Sequence, residues 1–173
     1  INIKAANSNS LSKDKISEVV KLNDVEKKET TRIKTGIGEL DRVLGGGFVN
    51  SSLTLLGGEP GIGKSTLILQ ICDKIKGEGK VLYVSGEESA YQLKMRAKRL
   101  GIKSDNLYIF AENNLGIIEG YLETINPDLI IVDSIQTVFS PDIASAPGTV
   151  SQIKEGTSRF MKISKKMGIS TFV

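Results

Sequence analysis

The chain has 173 residues, 39% hydrophobic and 25% charged, which is the balance of one globular domain able to close a single core. It holds no histidine, no tryptophan and a single cysteine, so histidine–metal sites, Ser-His-Asp triads, internal disulfides and CxxC knuckles are excluded within it. A net charge of +3 suits a polyanionic partner without requiring one; no apolar stretch reaches membrane-span length and no secretory signal opens the chain, so a cytoplasmic location is expected.

Residues 1–34 are rich in Lys, Asn, Ser and Glu and read as a linker with one short helix at Lys15–Leu22, leaving 35–173 as the folded core. Ile37, Leu40, Val43 and Leu44 share one face of a short helix that Gly45-Gly46-Gly47 terminates. Apolar runs at 53–56, 81–84, 107–110, 129–132 and 169–173 are expected as buried strands. Between them lie helix patterns at 64–76, 89–100, 115–125 and 150–167. This alternation predicts an α/β fold, a mostly parallel sheet with helices on both faces. Cys72, inside the apolar run Leu67–Cys72, reads as a small buried core residue. The chain stops within an apolar strand pattern, so the core is expected to be truncated after 169–173.

The sharpest signal is Gly58-Glu59-Pro60-Gly61-Ile62-Gly63-Lys64-Ser65, which satisfies the Walker A pattern GxxxxGK followed by Ser or Thr, with a strand pattern before it and a helix pattern after it. Glycines let main-chain N–H groups close around phosphate oxygens, and the helix N-terminus adds partial positive charge. Lys64 is assigned to the β and γ phosphates of ATP and the Ser65 hydroxyl to Mg²⁺, with Thr66 as an added phosphate contact. The competing reading is a glycine-rich turn that merely fits the pattern.

A second carboxylate element is expected at a strand end, and Asp133 after Leu129-Ile130-Ile131-Val132 supplies it, holding Mg²⁺ through water. Glu87 and Glu88 end another strand pattern, and Glu87 is chosen as the base for the attacking water. Both glutamates equally suit the first turn of the helix from Ser89, where negative charge favours the dipole. Gln136 is a candidate γ-phosphate sensor or a plain surface residue.

Taken together these residues resemble the bacterial RadA (Sms) recombination ATPases of the RecA superfamily. The resemblance runs from Arg32-Ile33-Lys34-Thr35-Gly36-Ile37 and Glu39-Leu40-Asp41-Arg42-Val43-Leu44-Gly45-Gly46-Gly47, through the phosphate loop and Ser85-Gly86-Glu87-Glu88-Ser89. It continues through Asp133-Ser134-Ile135-Gln136-Thr137 and Ser145-Ala146-Pro147-Gly148-Thr149-Val150-Ser151-Gln152. It implies a RecA-like P-loop core that hydrolyses ATP in a homo-oligomeric ring (a hexamer), binds single-stranded DNA, works with a RecA-type recombinase and drives branch migration. It also implies Glu87 as the catalytic glutamate, and the 169–173 strand between those ending at Gly57 and Asp133. The family's upstream four-cysteine zinc module, its downstream Lys-Asn-Arg-Phe-Gly motif and its Lon-protease-like domain have no counterpart here; zinc is expected only with that upstream module. A DnaB-like helicase motor and a nucleotide-gated ring or interaction module without DNA activity remain the alternatives.

Two regions are candidates for DNA contact. Residues 139–152 form a Ser/Pro/Ala/Gly segment expected to be a mobile loop, with Ser145, Gly148 and Ser151 as its contact residues. Two basic helices carry Lys94, Arg96, Lys98 and Arg99, and Lys154, Arg159, Lys162, Lys165 and Lys166. With Leu93 and Leu100, and Ile153, Phe160, Ile163 and Met167, turned to the core, those charges face outward, where a solvated surface is the plainer reading.

Overall fold

Two strands, β4 (Val81–Ser85) and β6 (Leu129–Asp133), are buried along nearly their whole length, because both faces of the sheet they share are covered. A computed structural model gives this arrangement and describes residues 21–24, 32–75 and 79–173. The sheet has five parallel strands in the order β3-β7-β6-β4-β5, where β3 is Leu53–Thr54, β5 is Leu107–Phe110 and β7 is Ser170–Phe172. β7 thus lies between β3 and β6, as the family resemblance implied. The helix expected at Lys15–Leu22 lies outside the described residues except at its end, where a 3₁₀ turn spans Leu22–Asp24.

Strand alternation sorts the core into two layers. Val81, Tyr83, Leu129 and Ile131 face helices α2 (Lys64–Lys74) and α3 (Ala90–Arg99), packing with Ile68, Leu69, Ile71, Cys72 and Leu93. Leu82, Val84, Ile130 and Val132 face α4 (Leu115–Ile125) and α5 (Val150–Met167), packing with Leu115, Ile118, Leu122 and Phe160. The β3 run is shorter than the 53–56 expectation: Leu55 is exposed, although the Leu56 N–H still donates to the Val173 carbonyl at 2.7 Å.

The short helix α1 (Gly38–Val43) forms, but Val43 is 77% exposed, correcting the assignment of that residue to the core face. At about 100° per residue, Val43 falls roughly 90° from the middle of the arc holding Ile37, Leu40 and Leu44. An antiparallel pair that periodicity did not reveal joins β1 (Arg32–Ile33) to β2 (Phe48–Val49). Its Phe48 is buried against Phe172, ring centroids 5.0 Å apart, which fastens this pair to the main sheet.

Candidate active site

All parallel strands end on the same edge, so the segments after β3, β4 and β6 emerge side by side. After β3 comes the glycine loop. Gly61 and Gly63 have φ of +79° and +104°, a region that L side chains rarely adopt, and no protein atom lies within 4 Å of a Cβ built at either. Backbone sign, not crowding by the protein, therefore demands glycine here. α2 starts at Lys64 with no side-chain cap, whereas α3 carries a Ser89/Gln92 capping box and α4 an Asn114 cap. The helices α1 and α5 also lack a side-chain cap, but only α2 follows the glycine loop, where free first-turn N–H groups are the kind of donor a triphosphate needs. The Lys64 ammonium lies over the loop and donates to the carbonyls of Gly58 at 2.7 Å and Glu59 at 2.8 Å.

A cleft of about 570 Å³ opens over this loop, lined by Gly61, Gly63, Lys64, Ser65 and Thr66, and by Arg96, Arg99 and Leu100 of the α3 end. Leu100 is 36% exposed and walls this cleft, which corrects its placement in the core; its partner Leu93 is buried as expected. A larger cavity of about 920 Å³ lies at the opposite end of the strands, between Arg32, Lys80, Val81 and Asp128. It holds none of the phosphate-loop residues.

Asp133 sits two residues beyond Ile131 and hence on the α2 face of the sheet, the side on which the phosphate-loop helix packs. Its Oδ2 accepts a hydrogen bond of 2.5 Å from the Tyr83 hydroxyl. Burial first, and then that bond to Asp133, push the Tyr83 phenol far above its ordinary pKa. Register pairs Ser85 with Asp133, so the residues following each meet: the Ser134 hydroxyl approaches Glu87 Oε1 at 3.4 Å. Glu88, in contrast, forms an ion pair with Arg96 at 2.8 Å and donates its N–H to the Ser85 hydroxyl. Glu87 and Asp133 are therefore on neighbouring strand ends, and both glutamates precede the Ser89 cap rather than lying in the first turn of α3.

Gly86 is fixed by close packing. A Cβ there would fall 2.0 Å from Thr137 Oγ1 and 2.6 Å from Thr137 Cβ, while that hydroxyl donates to the Ser134 carbonyl at 2.7 Å. The glycine thus lets the Glu87 loop lie against the loop after Asp133. Gln136 is exposed on that second loop.

The 139–152 segment is tied rather than free. Gln152, only 2% exposed, accepts from Ser140 N–H through Oε1 and donates through Nε2 to the carbonyls of Ser140, Ile143 and Ser145 at 2.9–3.2 Å. Ser145 and Ser151 share a hydroxyl hydrogen bond of 2.7 Å, and Gly148 takes a left-handed φ of +81°. The amide of one buried side chain thus occupies several main-chain groups of this segment. Arg159 is likewise not an outward charge, because it grips Glu119 through two hydrogen bonds and reaches Asp142 at 3.2 Å. Lys94 and Lys98 on α3, and Lys154, Lys162, Lys165 and Lys166 on α5, are exposed.

Sequence reasoning missed Tyr83, which reads as one more apolar strand residue, and missed the cleft role of Arg96 and Arg99. Their three-residue spacing on a helix that starts beside Glu87 was the available signal.

The family described as "ATPase: KaiC" matches residues 33–119, from β1 through the phosphate loop and Glu87 into α4. The chain belongs to this family of KaiC-type ATPases. Solved structures agree: a KaiC-like protein from Pyrococcus horikoshii superimposes with a TM-score of 0.67 and 25% identity, over 83% of this chain and 69% of that one. Among curated proteins, this KaiC-type ATPase is 50% identical over 157 residues to the DNA repair protein RadA of Streptococcus pyogenes, covering 91% of this chain. It is 50% identical over 153 residues to that of Bacillus subtilis and 51% identical over 155 residues to that of Chlamydia trachomatis. The chain spans about a third of the length of these relatives, 35%, 33% and 34% respectively. The resemblance to RadA read from the motifs is thereby upheld, as is the RecA-type parallel fold. No helix among the described residues is long and apolar enough to cross a membrane.

Proposed function

We propose that this chain is the ATP-binding and ATP-hydrolysing core of a cytoplasmic bacterial motor that acts on DNA in homologous recombination and repair, driving branch migration. The observation that carries the reading is the convergence on one sheet edge of the uncapped α2 N-terminus with Lys64, of Asp133, and of the unpaired member of the Glu87–Glu88 doublet. The main chain of Gly58–Thr66 surrounds the phosphates, and Lys64 exchanges the Gly58 and Glu59 carbonyls for phosphate oxygens. Ser65 would hold Mg²⁺ directly and Asp133 through water, a hydroxyl and a carboxylate being the hard oxygen donors this ion takes. The chemistry such an ion would supply when bound is neutralisation of phosphate charge. Glu87 orients the attacking water and takes its proton, with Ser134 fixing one carboxylate oxygen. Gln136 reads the γ phosphate from the adjoining loop.

In this reading residues 35–173 are the ATPase core and 1–34 its linker. The 139–152 loop, with Ser145, Gly148 and Ser151, meets single-stranded DNA within a hexameric ring that cooperates with a RecA-type recombinase. Half-identity to proteins named DNA repair protein RadA, across nine-tenths of this chain, supports that assignment. The KaiC family match favours one rival, a nucleotide-driven ring indifferent to DNA. ATP turnover by the full-length protein, measured with and without single-stranded DNA, separates them: stimulation supports the motor, and DNA-independent turnover supports the rival. Absence of magnesium-dependent ATP binding by folded protein would overturn both.

A further inference from the structure

We infer that Tyr83 is a positioning residue for magnesium, its hydroxyl holding one oxygen of Asp133 so that the other is presented to the metal's water shell. The inference rests on the reading of Asp133 given above. Tyr83 stands among the aliphatic Val81, Leu82 and Val84 and is fully buried. Phenylalanine would fill the same volume, so packing does not call for the hydroxyl. Geometry does: Tyr83 pairs with Ile131 in register and lies on the same sheet face as Asp133, two residues on, and the ring spans that distance to place its hydroxyl on Oδ2 at 2.5 Å. A carboxylate at a strand end otherwise rotates freely about its last torsion. Tying Oδ2 fixes the plane of the group.

The test is magnesium dependence in the full-length protein. Tyr83→Phe should raise the Mg²⁺ concentration for half-maximal ATP turnover by about 10–100-fold, the usual loss when a metal ligand's own partner is removed. Nucleotide binding measured in EDTA should stay unchanged. Asp133→Ala should raise the same requirement, and adding Tyr83→Phe to it should change nothing further, since the hydroxyl acts only through that carboxylate. If Asp133→Ala shifts the requirement and Tyr83→Phe lowers only the melting temperature, the hydroxyl is structural and the inference fails while the reading of Asp133 stands. An Asp133→Ala protein with unaltered magnesium dependence would end both. Should Tyr83→Phe not fold, NMR of the unaltered protein decides: a protected tyrosine hydroxyl proton that persists with Mg²⁺ and ADP supports the inference, and its loss on adding them overturns it.

Discussion

Arg96 holds Glu88 in an ion pair of 2.8 Å, both side chains less than a third exposed. The neighbouring Glu87 is left beside Ser134 and Asp133. Glu87→Gln is therefore expected to lower ATP turnover by about 10²–10⁴-fold, the usual contribution of a general base, with Mg·ATP binding retained. Glu88→Gln should keep turnover and cost about 1 kcal/mol or less of stability, as a partly exposed pair does. Steady-state kinetics beside nucleotide titration checks both; equal losses of turnover in the two variants would remove the distinction.

Lys64 donates to the carbonyls of Gly58 and Glu59, bonds that in the proposed function it exchanges for phosphate oxygens. A charge-assisted hydrogen bond contributes about 1.5–3 kcal/mol, so Lys64→Ala should weaken ATP binding by at least about tenfold and abolish turnover. Calorimetric titration with ATP and Mg²⁺ measures this directly.

Gly86→Ala drives a methyl group into Thr137, whose hydroxyl is itself fixed by the Ser134 carbonyl. Overpacking of this kind costs about 1–3 kcal/mol, and relief requires the Glu87 loop to move. A lower melting temperature together with slower turnover is the expected outcome. Unchanged turnover at reduced stability would mean that the loop absorbs the methyl group elsewhere.

Arg159 fastens α5 to Glu119 of α4 and to Asp142 in the 139–152 segment. Arg159→Ala should destabilise the fold by about 1–3 kcal/mol, the cost of losing hydrogen bonds to charged partners. The slope of log DNA affinity against log salt should not change. A slope shallower by about 0.7 would instead identify Arg159 as a phosphate contact on single-stranded DNA.

Cys72 is buried in α2, and burial pushes its thiol up to about 12 from 9.0. A raised pKa favours the neutral form, so thiol reagents should leave the folded protein unlabelled from pH 7 to about 9 and label it on unfolding. The unfolded chain loses this proton first as pH rises, so stability should fall between pH 9.0 and about 12. Thermal melts across that alkaline window test the sign. Rapid labelling of folded protein at pH 8 would contradict it.

Local chemistry settled much of this protein within its sequence. The run Leu129–Asp133 is a buried strand because both its faces must be apolar, and Gly61 and Gly63 mark positive φ ahead of a helix N-terminus. The same periodicities placed α4 and α5 at their observed limits. Apart from the place of β7, which the family resemblance implied, strand order and side-chain pairing were beyond its reach, because each depends on residues far apart in the chain meeting at one edge. Tyr83 and Asp133 are fifty positions apart, and only the parallel register of β4 on β6 puts the hydroxyl of one on the carboxylate of the other. The pairing of Glu88 with Arg96, the burial of Gln152 in its own loop and the capture of Arg159 by Glu119 are decided in the same way. A charge or amide has no fixed partner until packing gives it a neighbour, so the residue types announce what chemistry is available and the tertiary structure selects which of them is left free to perform it.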